Sequence, residues 1–301
     1  MSVLFLDCGM GAAGDMLTSA LIDLFEDNFE GMDNLGIKTI TIKNNITYVG
    51  PEALSDCTKL ATVKFSGDFD RLAFDDGVFS RCTSLTNIVT PDSITKLGNR
   101  CFDQCQNLTS ITIGKNIKNI PSGDMSPFQN TDNLTNLICR AEYVPESAFE
   151  DVSTILNITL VNTVNIGKNA FNNCNLVADI NLPSSLITIG EGAFRYCESL
   201  TSVTIPDSVV KLGDDCFSDC TALTDVTIGT GIKYMYYCPF SGTNLTNLVF
   251  KAEVVPYKAF YDCTTLQSVV LENTIHIEEG AFYGCSSLSS VTLPSTLISM
   301  D

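Results

Sequence analysis

The sequence predicts a β-rich solenoid of about twelve coils of about 23 residues, with a parallel sheet on one face and a short strand-turn-helix cap at the N-terminus. Three observations carry that prediction. An aromatic residue or a leucine is followed three positions later by cysteine in eight places: Leu54/Cys57, Phe79/Cys82, Phe102/Cys105, Phe171/Cys174, Phe194/Cys197, Phe217/Cys220, Phe260/Cys263 and Phe282/Cys285. Copies at Phe128, Phe149 and Phe240 keep the phenylalanine without the cysteine, and successive phenylalanines are 20 to 26 residues apart. Between these marks runs a short apolar/polar alternation that ends in a turn, the signature of a strand with one buried face. A fixed period of this length makes each unit one coil that can bury its apolar face only against its neighbours.

Residues 1–36 stand outside the repeat. Residues 3–6 (VLFL) predict a short buried strand, residues 9–14 a glycine-rich turn, and Asp15 the N-cap of a helix running to about Phe25. On that helix Met16, Leu17, Ala20, Leu21, Leu24 and Phe25 form one apolar stripe, and Gly31 to Gly36 reads as a linker. The turn is a literal GxGxxG between strand and helix, the layout of a dinucleotide-binding unit. That unit needs a second strand ending in an acid, whereas the strand at 37–42 ends in Lys43, Asn44 and Asn45. Ile42 also precedes Leu54 by twelve residues, as Ile205 precedes Phe217, so this strand already belongs to the first coil. The segment is expected to cover the end of the solenoid. Within residues 1–27 the run LFLDCGMGAAGDMLTSALIDLF resembles the extreme N-terminus of the nickel-insertion proteins that mature the nickel-pincer cofactor of lactate racemase. That resemblance implies, as an alternative function, a cytosolic accessory protein in nickel-cofactor or nucleotide chemistry. Asp7 and Asp15 would then make polar contacts, where a turn and an N-cap explain them as well.

From residue 37 every coil has one plan. In the coil at 200–213, Val203 and Ile205 point inward, Ser202 and Thr204 outward, Pro206 and Asp207 turn the chain, Val209 and Leu212 return to the core, and Gly213 turns again before the next phenylalanine. Twelve strands are expected, beginning near Ile37, Leu60, Leu85, Leu108, Leu134, Ile155, Val177, Leu200, Leu223, Leu245, Leu266 and Leu288. The unit resembles the BspA-type leucine-rich repeats, whose run AF-x-x-C-x-x-L-x-x-[VI]-x-[IL]-P is matched by Ala193, Phe194, Cys197, Leu200, Val203, Ile205 and Pro206, and again by Ala281, Phe282, Cys285, Leu288, Val291, Leu293 and Pro294. The resemblance covers residues 37–301. It implies a cell-surface or secreted protein of bacteria or of some protozoan parasites, adhesin-like, that binds other proteins or host matrix; no signal peptide is visible in the sequence, which leaves the localisation open. A longer period overlies the short one. The NLTNL motif at residue 133 recurs at 244, and PDSITKLGNRCFDQC at 91–105 recurs as PDSVVKLGDDCFSDC at 206–220, offsets of 111 and 115 residues.

Seventeen basic against 35 acidic residues give a net charge of −18 with no basic cluster, which argues against nucleic acid and anionic membranes as partners. No apolar run is long enough to insert into a bilayer. The repeated cysteines occupy an inward position and are expected to form a column of reduced thiols, with inter-repeat disulfides as the alternative. The CxxxC pairs Cys101/Cys105 and Cys216/Cys220 lack histidine partners for zinc, so no metal and no cofactor are expected. His276 is the one histidine, placed in a turn near the surface, and the acid pairs Asp75/Asp76, Asp214/Asp215 and Glu278/Glu279 read as solvated turn residues. The chain is therefore expected to be non-catalytic.

The candidate binding surface is the outward ribbon of the strands. One column contains Asn87, Asn136, Asp179, Ser202, Asp225 and Asn247; its neighbour contains Val89, Thr112, Ile138, Thr159, Asn181, Thr204, Thr227 and Val249. Hydroxyls, amides and a few β-branched groups suit extended contact with a protein or glycan, although the same residues would also serve simply as a solvated strand face. Tyr234, Tyr236 and Tyr237 add an aromatic cluster in an irregular loop. End-to-end self-association through an uncapped C-terminus, and a spacer role within a longer array, are further expectations.

Overall fold

The period-two alternation produces short parallel strands with one buried and one open face: Ser202–Ile205 and Asn157–Leu160 alternate strictly between exposed and buried. The structure, a computed structural model, describes residues 3–5, 37–235 and 238–301. The expected helix, glycine turn and linker, together with Tyr236 and Tyr237, lie outside the described residues. The chain divides into two compact units, Met1–Ala141 and Glu142–Asp301.

In the first unit the strands are β1 (Val3–Phe5), β2 (Thr39–Lys43), β3 (Tyr48–Val49), β4 (Thr62–Ser66), β5 (Leu72–Phe74), β6 (Asn87–Val89), β7 (Ile94–Lys96), β8 (Ser110–Ile113) and β9 (Asn136–Cys139). They form three parallel ladders, β1-β2-β4, β6-β8-β9 and β3-β5-β7. β1 thus adds one more parallel strand beside the first coil. In the second unit β10 (Tyr143–Val144), β12 (Asn165–Ile166), β13 (Thr188–Ile189), β15 (Lys211–Leu212) and β17 (Tyr234–Met235) form one ladder, and β14 (Ser202–Ile205), β16 (Asp225–Ile228), β18 (Asn247–Phe250), β20 (Ser268–Leu271) and β22 (Ser290–Thr292) another. β11 (Asn157–Leu160) precedes them, and β19 (Val254–Val255), β21 (His276–Ile277) and β23 (Ser299–Met300) complete the unit. Helix among the described residues is limited to one short 3₁₀ turn, Gly123–Met125.

Eleven of the twelve anticipated strands are present. The coil beginning at Val177 keeps only a single bridge, between Thr159 and Asn181. Asp179 and Asn181 stand at its outward positions, and both residue types favour local side-chain bonds over a strand. The return to the core at Leu212 is itself a second strand, β15, paired with its equivalents in the coils on either side, where the sequence pattern shows only an inward return between two turns.

A third set of inter-coil bonds runs through the phenylalanine corner. The amide of Phe171 donates to the Ala193 carbonyl, that of Phe194 to Cys216 and that of Phe217 to Pro239, each at 2.8 Å. To present these groups the backbone turns left-handed two residues before and two residues after the ring: Asn169 and Asn173 around Phe171, Asp215 and Asp219 around Phe217, Lys258 and Asp262 around Phe260. Left-handed backbone costs a residue with a side chain on the order of 1 kcal/mol, so each corner persists only because the stack above and below holds it. The rings stack nearly parallel, 5.4 Å from Phe149 to Phe171, 5.2 Å to Phe194, 5.3 Å to Phe217 and 5.6 Å to Phe240. Beside them the cysteines do more than fill space. Cys105, Cys174 and Cys220 donate their thiols to the carbonyls of Phe79, Phe149 and Phe194, one coil earlier, at 3.0 to 3.3 Å.

The acid pairs are not simply solvated. Both carboxylate oxygens of Asp76 accept from Asn99 of the next coil, through its backbone amide at 2.8 Å and its side-chain amide at 2.9 Å. Asp75 accepts from the Tyr48 hydroxyl and from Lys96 at 2.8 Å. Asp215 accepts from Ser218, and Glu278 from the Tyr257 amide. These acids tie neighbouring coils or cap amides, because a tight corner leaves its amide groups without a strand partner. Burial works against the charge of Asp75, but the bonds from Lys96 and Tyr48 outweigh it and hold the carboxyl below its ordinary range.

Phe194→Ala removes a ring from the middle of the stack and should cost about 3 to 5 kcal/mol in urea unfolding, with Phe194→Leu costing less than half as much. Because the folded pKa of Asp75 is depressed, its contribution is present above the ordinary carboxylate value of about 3.9 and is lost as pH falls through the lower folded value. Asp75→Asn should therefore lower stability by about 1 kcal/mol at pH 7 and leave it unchanged near pH 2, measured by urea midpoints at the two pH values.

Candidate functional site

The strand register decides which outward residues share a surface. In the second unit Ser202, Asp225, Asn247, Ser268 and Ser290 are one-to-one partners on adjacent strands, and so are Thr204, Thr227, Val249, Val270 and Thr292. Two straight columns result, running across the five strands β14 to β22. Ser202, Thr204, Asp225 and Asn247 are exposed, and Thr227 and Val249 are half-buried. Asn247 donates to the Asp225 carboxylate at 2.9 Å and Thr224 to its other oxygen at 2.6 Å, so part of the polar row is already engaged along the face. Thr159, Asp179 and Asn181 are also exposed in this unit. Tyr234, at the start of β17, is 56% exposed but belongs to the second ladder, away from these columns.

In the first unit Asn87, Ser110 and Asn136 form one column and Val89, Thr112 and Ile138 the other. Asn87 and Val89 are exposed, and Asn136 and Ile138 half-buried. Thr112 is a correction. The strand alternation places it toward solvent, yet it is 5% exposed, in register between Val89 and Ile138.

Sequence reasoning missed an aromatic group on the coil corners. The rings of Tyr261 and Tyr283 stack at 5.0 Å and 14°, and the Lys258 ammonium lies 5.0 Å from the Tyr257 ring centre and 5.2 Å from that of Tyr261. Tyr257 and Tyr283 are more than half exposed. The available signal was a tyrosine directly after the corner phenylalanine in two consecutive coils, Phe260-Tyr261 and Phe282-Tyr283. Exposed rings prearranged in this way offer flat apolar area at little entropic cost.

Catalytic and metal chemistry find little to work with. His276 sits in β21 rather than in a turn, with Nδ1 2.6 Å from Ser299 Oγ and Nε2 3.3 Å from Asp301 Oδ2, so the ring joins two neighbouring coils. The twelve cysteines of the described residues carry free thiols. Burial pushes Cys105 and Cys220 up to about 12 and Cys101 and Cys216 well above the ordinary thiol, which keeps both CxxxC pairs protonated and poor as ligands. Among the described residues no group of His, Cys, Asp and Glu side chains is placed to hold a metal ion, and no helix is long and apolar enough to cross a membrane.

Comparison with known proteins bears on the coil rather than on a ligand. The family model for the BspA type leucine-rich repeat region matches in overlapping segments, residues 23–155, 72–200, 142–255 and 253–301. No curated protein matches the chain. Among solved structures, a leucine-rich repeat protein from Bacteroides ovatus is similar at a TM-score of 0.56 and 22% identity, over 89% of this chain and 76% of that one. A leucine-rich cell surface protein from Faecalibacterium prausnitzii aligns with a TM-score of 0.35 and 21% identity over 86% of this chain and 79% of that one. The pneumococcal vaccine antigen PcpA aligns with a TM-score of 0.43 and 18% identity over 85% and 68%. The resemblance of residues 1–27 to nickel-insertion proteins finds no support in these comparisons.

Proposed function

We propose, from the premise that this chain belongs to the BspA-type leucine-rich repeat family, that it is a non-catalytic scaffold whose outward strand face binds an extended protein or glycan. The observation that carries this reading is the one-to-one register of β14 to β22, which sets hydroxyl, amide and β-branched groups in two straight rows. Each group offers a weak contact, and the array multiplies it along the axis, so affinity comes from length rather than from a deep pocket. Asp225 is the one charged residue in the rows that run from β14 to β22, so that face selects by hydrogen bonding and shape more than by charge. The tyrosines at 257, 261 and 283 supply the aromatic anchor that the columns lack. An adhesin-like role at a cell surface, which family membership implies, is the setting in which such a face would work.

Arrays of matrix proteins and glycans probed with the intact chain test this reading. Once a ligand is found, Thr204→Glu/Thr227→Glu/Val249→Glu should weaken binding at least about tenfold without changing the circular dichroism spectrum. Tyr261→Ala/Tyr283→Ala should weaken it less, and Tyr234→Ala reports on the irregular loop. Undiminished binding by the strand-face variant would overturn the assignment and move the site to the coil corners.

A further inference from the structure

Cys238 is out of place among the cysteines of the described residues. It lies two positions before Phe240, at the left-handed corner position (φ +36°) held in other coils by Asn169, Gly192, Asp215, Lys258 and Gly280. Its side chain reaches into the next coil. The Cys238 thiol donates to the Tyr261 carbonyl at 2.8 Å, two residues before Cys263, and the two thiols lie close enough to shift each other's titration. The cause is a slip in the repeat. Cys82, Cys105, Cys174, Cys197, Cys220 and Cys285 each donate to the carbonyl of the corner residue one coil earlier. For Cys263 that carbonyl would be Phe240, and Thr243, standing where a cysteine stands in other coils, already fills it with its hydroxyl at 2.7 Å and its amide at 3.4 Å. The step from Phe240 to Phe260 is also the shortest in the chain, 20 residues. Cys263 is buried, whereas Cys238 is half-buried.

We infer that Cys238 and Cys263 form a redox-active dithiol, which closes to a disulfide between adjacent coils when the chain meets a low-molecular-weight disulfide. Cys238 is half-buried where Cys263 is buried, so an incoming disulfide reaches Cys238 first: Cys238 is the attacking sulfur and Cys263 the resolving one. The interaction with Cys263 holds the Cys238 thiol below its ordinary value, against partial burial and the nearby carboxylates of Asp215 and Asp262, and with deeper burial it pushes Cys263 up. The Cys238 thiolate attacks one sulfur of RSSR, forms the mixed disulfide and releases RS⁻, which takes up a proton. Cys263 then loses its proton, attacks the Cys238 sulfur and expels a second RS⁻, so two protein thiols are oxidised and RSSR is reduced to two RSH. Closure takes the Cys238 thiol off the Tyr261 carbonyl, so the step reaches the corner that carries the Tyr261/Tyr283 pair.

The test uses the reduced intact chain in a Cys8→Ser background, treated with oxidised glutathione, quenched by alkylation and mapped by mass spectrometry. The expected first linkage is Cys238 to Cys263. Cys238→Ser should abolish it, and Cys263→Thr should accumulate a glutathione adduct on Cys238. Threonine is chosen because it already occupies the equivalent position at Thr131 and Thr243, so the coil is kept. In a short iodoacetamide pulse Cys238 should label at least about tenfold faster than Cys220. A first linkage between other cysteines, a Cys263→Thr chain without the adduct, or labelling of Cys238 no faster than Cys220 would each overturn the inference.

Discussion

Rings that stack 5.2 to 5.6 Å apart from Phe149 through Phe240 match, within an ångström, the separation of hydrogen-bonded strands, and that match lets one coil repeat on the next. A larger wedge would splay the ladders and a smaller one would leave a void at every corner. The corner backbone depends on the same stack. Residues as different as Gln104, Tyr196 and Lys258 are held left-handed there, in a conformation none of them would choose alone. The hydrogen bonds from corner amides to the next coil, together with the buried rings, offset that strain.

The irregular coils show how much slack the arrangement allows. Phe128 and Phe240 remain buried in the column, each with one stacking step stretched, to 6.1 Å from Phe102 to Phe128 and to 6.0 Å from Phe240 to Phe260. In both, threonine takes the cysteine position and turns its hydroxyl back onto its own phenylalanine carbonyl, at 2.6 Å in Thr131 and 2.7 Å in Thr243. Asn133 and Asn244 likewise each donate to a carbonyl of the preceding coil at 2.7 Å. The duplicated sequence deviations are therefore duplicated structures. The two differ in the next coil along the chain, where Val152 holds the cysteine position after the first slip and Cys263 holds it after the second. Only the second slip leaves a thiol without its usual acceptor.

A solenoid of this kind separates stability from recognition. Inward residues and corners carry the stack, while the outward positions of the strands change from coil to coil without disturbing it. The acids illustrate the boundary. Asp75 and Asp76, at a corner, are taken up by partners of adjacent coils and kept off the strand face, whereas Asp225 stands exposed on that face and bonds along it to Asn247 and Thr224.

Strand alternation and phenylalanine spacing are local properties that a chain carries in its own order, so the coil, its period and the inward and outward faces of nearly every strand are legible without coordinates. The slips at Phe128 and Phe240 are legible for the same reason. Residues whose partner lies one coil away are different, because no local pattern names that partner. Thr112 is buried at an outward strand position, the coil at Val177 keeps one bridge, and Tyr261 finds Tyr283. Left-handed corners fall mostly on Asn, Asp and Gly, which favour that backbone, but also on Gln104, Tyr196 and Lys258, which composition does not announce. Cys238 and Cys263 are 25 positions apart, and no local pattern shows that Cys238 bonds the coil of Cys263 or that Thr243 fills the carbonyl other coils give to their cysteine.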